Sequence, residues 1–309
     1  MIYNNILDAV GHTPLVRLNR MPEPGSAEIL VKMEGLNVGG SIKTRTALNM
    51  IEQAEKDGLI REDTIIVEPT SGNQGIGLAL VGAVKGYRTI IIMPDSVSEE
   101  RRKLVRHYGA DVKLIHDAGD IGACIEECLN TALRMQEKDP RVFVPQQFSN
   151  INNTMAQKNF TAREILEQAE GPIHGFCSGI GTGGTITGIG EVLREHNPDL
   201  EIWAVEPENA AILAGGTIGT HMQMGIGDGI IPDILNREIY DDIYVVTDEE
   251  AIETSKRLAR EEGLMVGISS GTNVAAALKL AKKLGPGKRV VTILPDIAER
   301  YFSTPLFGE

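Results

Sequence analysis

The chain has 309 residues, of which 42% are hydrophobic and 24% charged, and this composition is typical of a globular protein. Its formal net charge of −13 argues against nucleic acid or an anionic membrane surface as the main partner. The apolar stretches are too short to span a membrane, and residues 1–18 lack the order of a signal peptide, so we expect a cytoplasmic protein.

The three cysteines, Cys124, Cys128 and Cys177, are too few to predict a disulfide framework in a chain of this size. Cys124 and Cys128 lie one helical turn apart in an apolar-periodic segment, and no histidine stands at ligand spacing nearby. We therefore interpret them as core residues and predict no metal site.

Short β-branched runs alternate with helical patterns along the whole chain. The predicted strands are Glu28–Met33, Thr64–Val67, Thr89–Met93, Asp111–Ile115, Gly175–Ser178, Glu201–Val205, Ile243–Val246 and Arg289–Leu294. Their continuous apolar character indicates burial on both faces, as in a parallel sheet. So many strands and helices exceed one compact core, and the sequence predicts an α/β fold with mostly parallel sheets, more than one in number.

Local signals also predict where two helices lie. One apolar face repeats at helical spacing and consists of Ala47, Met50, Ile51 and Ala54. This helix is predicted to stop at Gly58, a plausible C′ residue. A second helix is predicted to begin at Ser96, with Glu99 completing a capping box.

Ligands of such folds gather at the carboxyl ends of strands, so the loops that follow strands are the first candidates for a functional site. Residues 37–43 (NVGGSIK) form a glycine-rich loop that leads into the Ala47 helix. A lysine at a helix start meets the positive end of the helix dipole, which favours the neutral amine that a nucleophile or a Schiff base needs. Lys43 is thus a candidate catalytic amine, and on this segment alone a surface lysine is the alternative.

Residues 68–75 (EPTSGNQG) form a strand end that runs into an apolar helix. Successive backbone N–H groups, with the side chains of Thr70, Ser71 and Asn73, make an anion site of carboxylate size. A well-capped helix would explain one of these three side chains, but not all of them.

Residues 179–185 (GIGTGGT) again lie between a strand and a helix, where freed backbone amides and two threonine hydroxyls would cradle a phosphate. The same segment fits the dinucleotide fingerprint through Gly179, Gly181 and Gly184, with Glu206 about twenty residues further on. An NAD-dependent dehydrogenase is therefore an alternative, but it leaves the two other loops without a role.

Taken together, these motifs resemble the cysteine synthase (O-acetylserine sulfhydrylase) branch of the fold-type-II pyridoxal-phosphate enzymes. Further matching segments run nearly end to end: 10–15 (VGHTPL), 145–148 (PQQF), 225–227 (GIG), 267–271 (GISSG), 294–301 (LPDIAERY) and 299–304 (ERYFST). The resemblance implies two α/β domains, like those of tryptophan synthase β. Residues 1–37 and 144–309 would form a larger domain that binds the cofactor phosphate, and residues 38–143 a smaller, mobile one.

The resemblance also assigns roles to individual residues. Lys43 would form the Schiff base with pyridoxal 5'-phosphate and remove the α-proton. Cofactor binding would involve Lys43, Asn73, Gly181, Thr182, Gly183, Gly184, Thr185 and, in a loop, Ser269. Substrate binding would involve Thr70, Ser71, Gly72, Gln74, Gln147 and Gly227. The implied reaction is β-substitution through an aminoacrylate, with O-acetyl-L-serine and sulfide giving L-cysteine and acetate.

Three residues depart from the family pattern. Gln74 replaces the usual threonine, and Ile297 stands where the family typically offers a hydroxyl to the pyridine nitrogen. Asp228 replaces a small apolar residue and, near the β-carbon, would protonate a leaving thiolate or activate an incoming thiol. It favours an alternative reaction, in which L-cysteine is consumed by β-replacement or lysis, hydrogen sulfide is released, and lanthionine or serine is formed. A solvated loop aspartate is the other interpretation.

The resemblance further implies a homodimer and a possible complex with serine acetyltransferase. The expected ligands are a small amino-acid substrate and a sulfur nucleophile, with no nucleic acid and no membrane as partner. A catalytically silent cofactor-binding scaffold is a remaining alternative, and the intact Lys43 and phosphate loop argue against it.

Overall fold

The computed structural model describes residues 2–97, 99–119 and 121–308. The strands are β1 (Leu15–Arg17), β2 (Glu28–Met33), β3 (Ile65–Pro69), β4 (Arg88–Pro94), β5 (Asp111–Ile115), β6 (Val142–Phe143), β7 (Gly175–Gly179), β8 (Glu201–Pro207), β9 (Asp242–Val246) and β10 (Arg289–Leu294). The α-helices are α1 (Lys43–Lys56), α2 (Asn73–Lys85), α3 (Glu99–His107), α4 (Ile121–Lys138), α5 (Ile151–Ala156), α6 (Ala162–Ala169), α7 (Gly184–His196), α8 (Asp248–Arg257) and α9 (Ile268–Leu284). Within these described ranges, no helix combines the length and apolar character needed to cross a membrane.

The chain divides into two compact units. The first unit comprises Met1–Val10 and Lys43–Asn153, and the second comprises Gly11–Ile42 and Thr154–Glu309. These bounds differ from the domain limits expected from the sequence, at residues 37/38 and 143/144, which remain a prediction about the functional domains.

The first unit is built on a four-stranded sheet in the order β5-β4-β3-β6, in which every pairing is parallel. Val67 and Ile92 of this sheet are fully buried and pack in one core cluster with Cys128 and Ala132 of α4. Burial raises the pKa of the Cys128 thiol to about 12, as expected for an inert core cysteine.

The second unit is built on a six-stranded sheet in the order β1-β2-β10-β7-β8-β9, in which β1 is antiparallel to β2 and the other pairings are parallel. Successive residues of the central strand β10 enter different cores. Val290 packs in the cluster that contains Val274 of α9, whereas Val291 packs in the cluster that contains Ile189 of α7. The sheet therefore buries apolar side chains on both faces, as its continuous apolar strands require.

The predicted α/β fold with mostly parallel sheets is confirmed, and every predicted strand is present within two residues of its predicted ends. The sequence did not reveal β1 and β6, which are only three and two residues long. The predicted start of α3 at Ser96 was wrong. That helix begins at Glu99, and the Ser96 hydroxyl instead donates to Asp117 Oδ2 over 2.7 Å.

Helices α1 and α2 approach closely at Gly77. A Cβ atom on Gly77 would lie 2.9 Å from the carbonyl oxygen of Lys43 and 3.1 Å from Cβ of Ala47. We expect Gly77→Ala to lower the free energy of unfolding by about 1–3 kcal/mol, because overpacking forces the two helices apart. Urea unfolding measures this change.

Gly122 in α4 offers a control for the Gly77 substitution, because it is an exposed helical glycine of the same unit. Gly122→Ala is expected to keep or increase stability, since alanine is the better helix former. Equal unfolding midpoints for Gly77→Ala and the unmodified protein would contradict the close approach.

Candidate active site

Lys43 is the first residue of α1, and the first turn of that helix carries no acidic side chain. The helix is held in the first unit by its predicted apolar face, of which Ala47, Met50 and Ile51 are fully buried. The lysine side chain is only half-buried. Packing therefore fixes the start of the helix.

The loop at residues 70–72 leads into α2. Gly72 is the N-cap residue, and as a glycine it has no side chain that could cap the helix. Thr70 Oγ1 instead accepts the N–H of Gly72 over 3.2 Å, and Thr70 N donates to Ile92 O over 2.9 Å. The positive end of this 13-residue helix is suited to an anion, and the carboxylate site at this loop stays a prediction.

Gln74 connects this loop to the helix that begins with Lys43. Its Oε1 accepts the Thr46 hydroxyl over 2.7 Å, and the same hydroxyl lies 2.9 Å from the Lys43 carbonyl oxygen. The side chain is buried, and within the described residues its Nε2 has no hydrogen-bond partner. The glutamine at this position therefore bonds to α1, and its role as a carboxylate ligand stays a prediction.

Gln147 follows β6 and is buried. Its N–H donates to Glu68 Oε1 over 3.0 Å, and its carbonyl oxygen accepts Asn153 Nδ2 over 2.9 Å. Glu68 lies two residues before Thr70, so the structure brings Gln147 and the Thr70–Gln74 loop to the same edge of the four-stranded sheet.

The predicted phosphate loop follows β7 and ends at Gly183, the N-cap residue of α7. Gly183 has a φ of +77°, which favours glycine, and it has no side chain with which to cap the helix. Thr182 is buried and Thr185 half-buried. Because α7 is 13 residues long, its uncapped N-terminus suits a phosphate.

Gly181 lies against the loop that contains Gly225 to Asp228. A Cβ atom on Gly181 would lie 2.5 Å from Gly225 O and 3.5 Å from Asp228 Oδ2. Gly227 N donates to Ile180 O over 2.8 Å. The predicted residues Gly227 and Asp228 therefore adjoin the phosphate loop, and the Asp228 side chain is exposed.

Two residues that the sequence did not single out hold these loops in place. His221 Nε2 lies 3.1 Å from Gly227 O, and its Nδ1 accepts Gln223 N over 3.1 Å, which assigns the proton to Nε2. Asn273 accepts Gly179 N over 2.7 Å and donates to Ile293 O over 2.8 Å. Asn273 acts on backbone groups 94 and 20 residues away, and His221 acts within its own loop; neither belongs to a recognisable local motif.

Ser269 is buried in the first turn of α9, so the expectation that it lies in a loop was wrong. Ile297 is half-buried, with its Cδ1 atom 3.1 Å from the position of a Cβ on Gly40. The neighbouring Asp296 is buried and accepts the hydroxyl of Tyr301 over 2.7 Å.

Glu206 is not placed to bind a ribose. Its two carboxylate oxygens accept the N–H groups of Leu213 and Ala214, each over 3.0 Å. Burial raises the pKa of this carboxyl above its usual range. Because its oxygens accept backbone N–H groups of the same unit, the dinucleotide fingerprint lacks the acidic residue that would bind the ribose.

Comparisons with known proteins agree on one family. The family model for pyridoxal-phosphate dependent enzymes matches residues 6–296. A cysteine synthase of Staphylococcus aureus is 46% identical over 306 residues, with 99% of this chain and 97% of the relative covered. A cysteine synthase structure from Entamoeba histolytica matches with a TM-score of 0.94 and 39% identity, covering 100% of this chain and 92% of that one. A hydrogen sulfide-producing enzyme from Fusobacterium nucleatum matches with a TM-score of 0.91 and 40% identity, covering 97% of this chain and 98% of that one.

Proposed function

Because the chain belongs to the pyridoxal-phosphate-dependent enzymes and is of the cysteine synthase type, we propose that it makes L-cysteine and acetate from O-acetyl-L-serine and sulfide. The observation that carries the proposal is the first unit's arrangement. An uncapped helix N-terminus, suited to a carboxylate, is bonded through Gln74 and Thr46 to the helix turn that begins with Lys43.

The residues of the chain fit pyridoxal phosphate. The Gly181–Thr185 loop offers backbone amides at an uncapped helix start, and the space at Gly181 that a Cβ would fill is bounded by Gly225 O. Lys43 supplies a half-buried primary amine without an acidic group in its helix turn. We propose that Lys43 and Asn73 also hold the cofactor, with Ser269 as a further contact.

The substrate carboxylate is bound, in this proposal, by the Thr70–Gln74 loop and by Gln147. The cofactor, when bound, supplies a conjugated ring that delocalises the charge left by removal of the α-proton. The Lys43 Nζ atom takes that proton as general base. Acetate then leaves the β-carbon and hydrosulfide adds there, so that one Cβ–O bond breaks and one Cβ–S bond forms, and Lys43 Nζ returns its proton to Cα.

The test is a product balance with cofactor-loaded protein. With O-acetyl-L-serine and sulfide, we expect equal molar amounts of L-cysteine and acetate. Acetate release without L-cysteine, or no turnover at all, would contradict the proposal.

L-cysteine consumption is a second candidate function, and the position of Asp228 favours it. The carboxylate lies beside the predicted phosphate loop, and one structural relative is a hydrogen sulfide-producing enzyme. In that reaction the Cβ–S bond breaks, and Asp228 passes to the leaving sulfur a proton that solvent resupplies. Water or a second L-cysteine thiol then adds to the β-carbon, which gives serine or lanthionine. Acetate, the weaker base, leaves without such help.

We expect Asp228→Asn to lower sulfide release from L-cysteine about 10²-fold relative to L-cysteine formation from O-acetyl-L-serine, because only the thiolate needs a proton. Parallel assays with the two substrates measure this ratio. Asp233→Asn is the control, since Asp233 is an exposed aspartate of the same loop region. An unchanged ratio in Asp228→Asn would assign Asp228 to the solvated surface.

From the resemblance alone, we also propose a cytoplasmic homodimer, with serine acetyltransferase as a candidate partner. Light scattering of the purified protein tests the dimer, and a monomer at micromolar concentration would contradict it.

A further inference from the structure

Glu68 is a buried carboxylate that holds two consecutive backbone amides. It is the penultimate residue of β3 and is only 1% exposed. Its Oε2 accepts the N–H of Gln146 over 2.9 Å, and its Oε1 accepts the N–H of Gln147 over 3.0 Å. Burial raises the pKa of this carboxyl to about 7, while the two amide donors act to lower it.

The backbone that Glu68 holds has an unfavourable conformation. Gln146 has a φ of +54°, in the left-handed region that non-glycine residues seldom adopt. Its carbonyl oxygen accepts the N–H groups of Ser149 and Asn150, each over 3.0 Å, and so closes a turn. Such a conformation persists only where surrounding contacts impose it, and the two bonds to Glu68 tie the turn to the sheet.

Glu68 also lies just before the other predicted carboxylate-binding segment. After it come Pro69, which ends β3, and Thr70, which starts the uncapped loop into α2. The Glu68 side chain therefore joins the end of β3, just before this loop, to the backbone of Gln147. The proposed substrate carboxylate requires both segments at once.

We infer that Glu68 is a positioning residue, whose carboxylate fixes Gln147 relative to the Thr70–Gln74 loop so that both bind the same substrate carboxylate. This inference rests on the proposed function, because that function gives Gln147 its substrate. Glu68 itself touches no reacting atom in this account.

The second unit contains the same device at the end of β8. Glu206 is buried, precedes Pro207, and accepts the N–H groups of Leu213 and Ala214 through its two oxygens. No predicted site residue lies between 206 and 214. Glu206→Gln is therefore a matched control, because it also changes a buried carboxylate that accepts two backbone N–H groups.

The test is a double-substitution cycle with Glu68→Gln and Gln147→Ala, in cofactor-loaded protein at a pH of about 8, where Glu68 is largely ionised. A glutamine offers one oxygen and places an NH₂ group against the second amide. We expect each single substitution to raise the KM for O-acetyl-L-serine about 10-fold, with a smaller change in kcat. When Glu68→Gln is added to Gln147→Ala, we expect a further change in KM of less than about 2-fold. The reason is that both substitutions act through the same contact, that of Gln147 with the substrate carboxylate.

The outcomes separate this inference from the proposed function. An unchanged KM in Gln147→Ala would contradict the carboxylate role of Gln147. A raised KM in Gln147→Ala that rises again by the full factor with Glu68→Gln would overturn only the positioning role of Glu68. When Glu206→Gln is combined with Gln147→Ala, the factors by which the two single substitutions change KM should multiply.

A second variant and a second measurement guard against a folding defect in Glu68→Gln. Glu68→Asp keeps both oxygens on a shorter side chain, and we expect an intermediate KM with the same coupling to Gln147→Ala. Amide hydrogen exchange at Gln146 and Gln147 should accelerate in Glu68→Gln and not in Glu206→Gln. Unchanged exchange at both amides would overturn the inference without reference to any substrate.

Discussion

Replacing Lys43 by alanine is expected to lower kcat/KM for L-cysteine formation by about 10⁴-fold, the largest effect of any single substitution in the chain. The methyl group of alanine can neither attach to the cofactor nor accept the α-proton. Steady-state rates with O-acetyl-L-serine and sulfide measure the loss.

Lys56 provides the control for this substitution, because it lies in the last turn of the same helix and is exposed. Lys56→Ala is expected to leave both the rate and the cofactor content unchanged. If Lys43→Ala retained more than about a tenth of the activity, another group would have to be the general base.

The second large effect is expected from Gly183→Ala, measured as the dissociation constant of pyridoxal phosphate from the protein. Gly183 has a φ of +77°, and a Cβ there would lie 2.7 Å from Cβ of Leu235. A left-handed alanine costs about 1–2 kcal/mol, and the overlap adds to this cost. Either the helix start or Leu235 must shift, and because we propose that this helix start holds the phosphate, we expect the dissociation constant to rise about 10- to 100-fold.

Gly263→Ala is the matched control for that substitution. Gly263 also lies in the second unit with a φ of +76°, but no atom lies within 4 Å of the position of its Cβ. It should therefore lose about 1 kcal/mol of stability and keep its cofactor affinity. Equal dissociation constants for the two variants would mean that the Gly181–Thr185 loop does not bind the phosphate.

The fold could be predicted where the sequence pattern is local and strong. Strands such as β10 are continuous apolar runs because both of their faces are buried, and their residues enter different cores. β1 and β6 are too short to show any periodicity, and the start of α3 was misplaced because the Ser96 hydroxyl bonds to Asp117, 21 residues away. Tertiary contacts decided these elements.

The residues of the candidate site likewise divide into those that a local sequence pattern indicates and those that tertiary contacts decide. Glycine-rich loops after strands can be recognised because their backbone chemistry is local, and the structure places them at uncapped helix starts. The supporting residues could not be recognised. Asn273 and Glu68 act on backbone groups that are distant in sequence, whereas His221 bonds to Gly227 within a loop that shows no recognisable pattern. The only sequence signal was the Glu-Pro pair, which ends both β3 and β8.

The departures of this chain from its family are now partly explained. Gln74 has a hydrogen-bond partner in Thr46, which accounts for an amide at a position where the family usually has a hydroxyl. Asp296, next to Ile297, accepts the hydroxyl of Tyr301 over 2.7 Å. Nothing in the structure gives Ile297 a polar function.

The most direct test of the proposed site is to locate the lysine that carries the cofactor. Holoprotein would be reduced with borohydride, digested, and mapped by mass spectrometry. We expect a phosphopyridoxyl group on Lys43 and on no other lysine. The same group on a different lysine, or its absence from a fully loaded protein, would contradict the assignment of Lys43 and the site built around it.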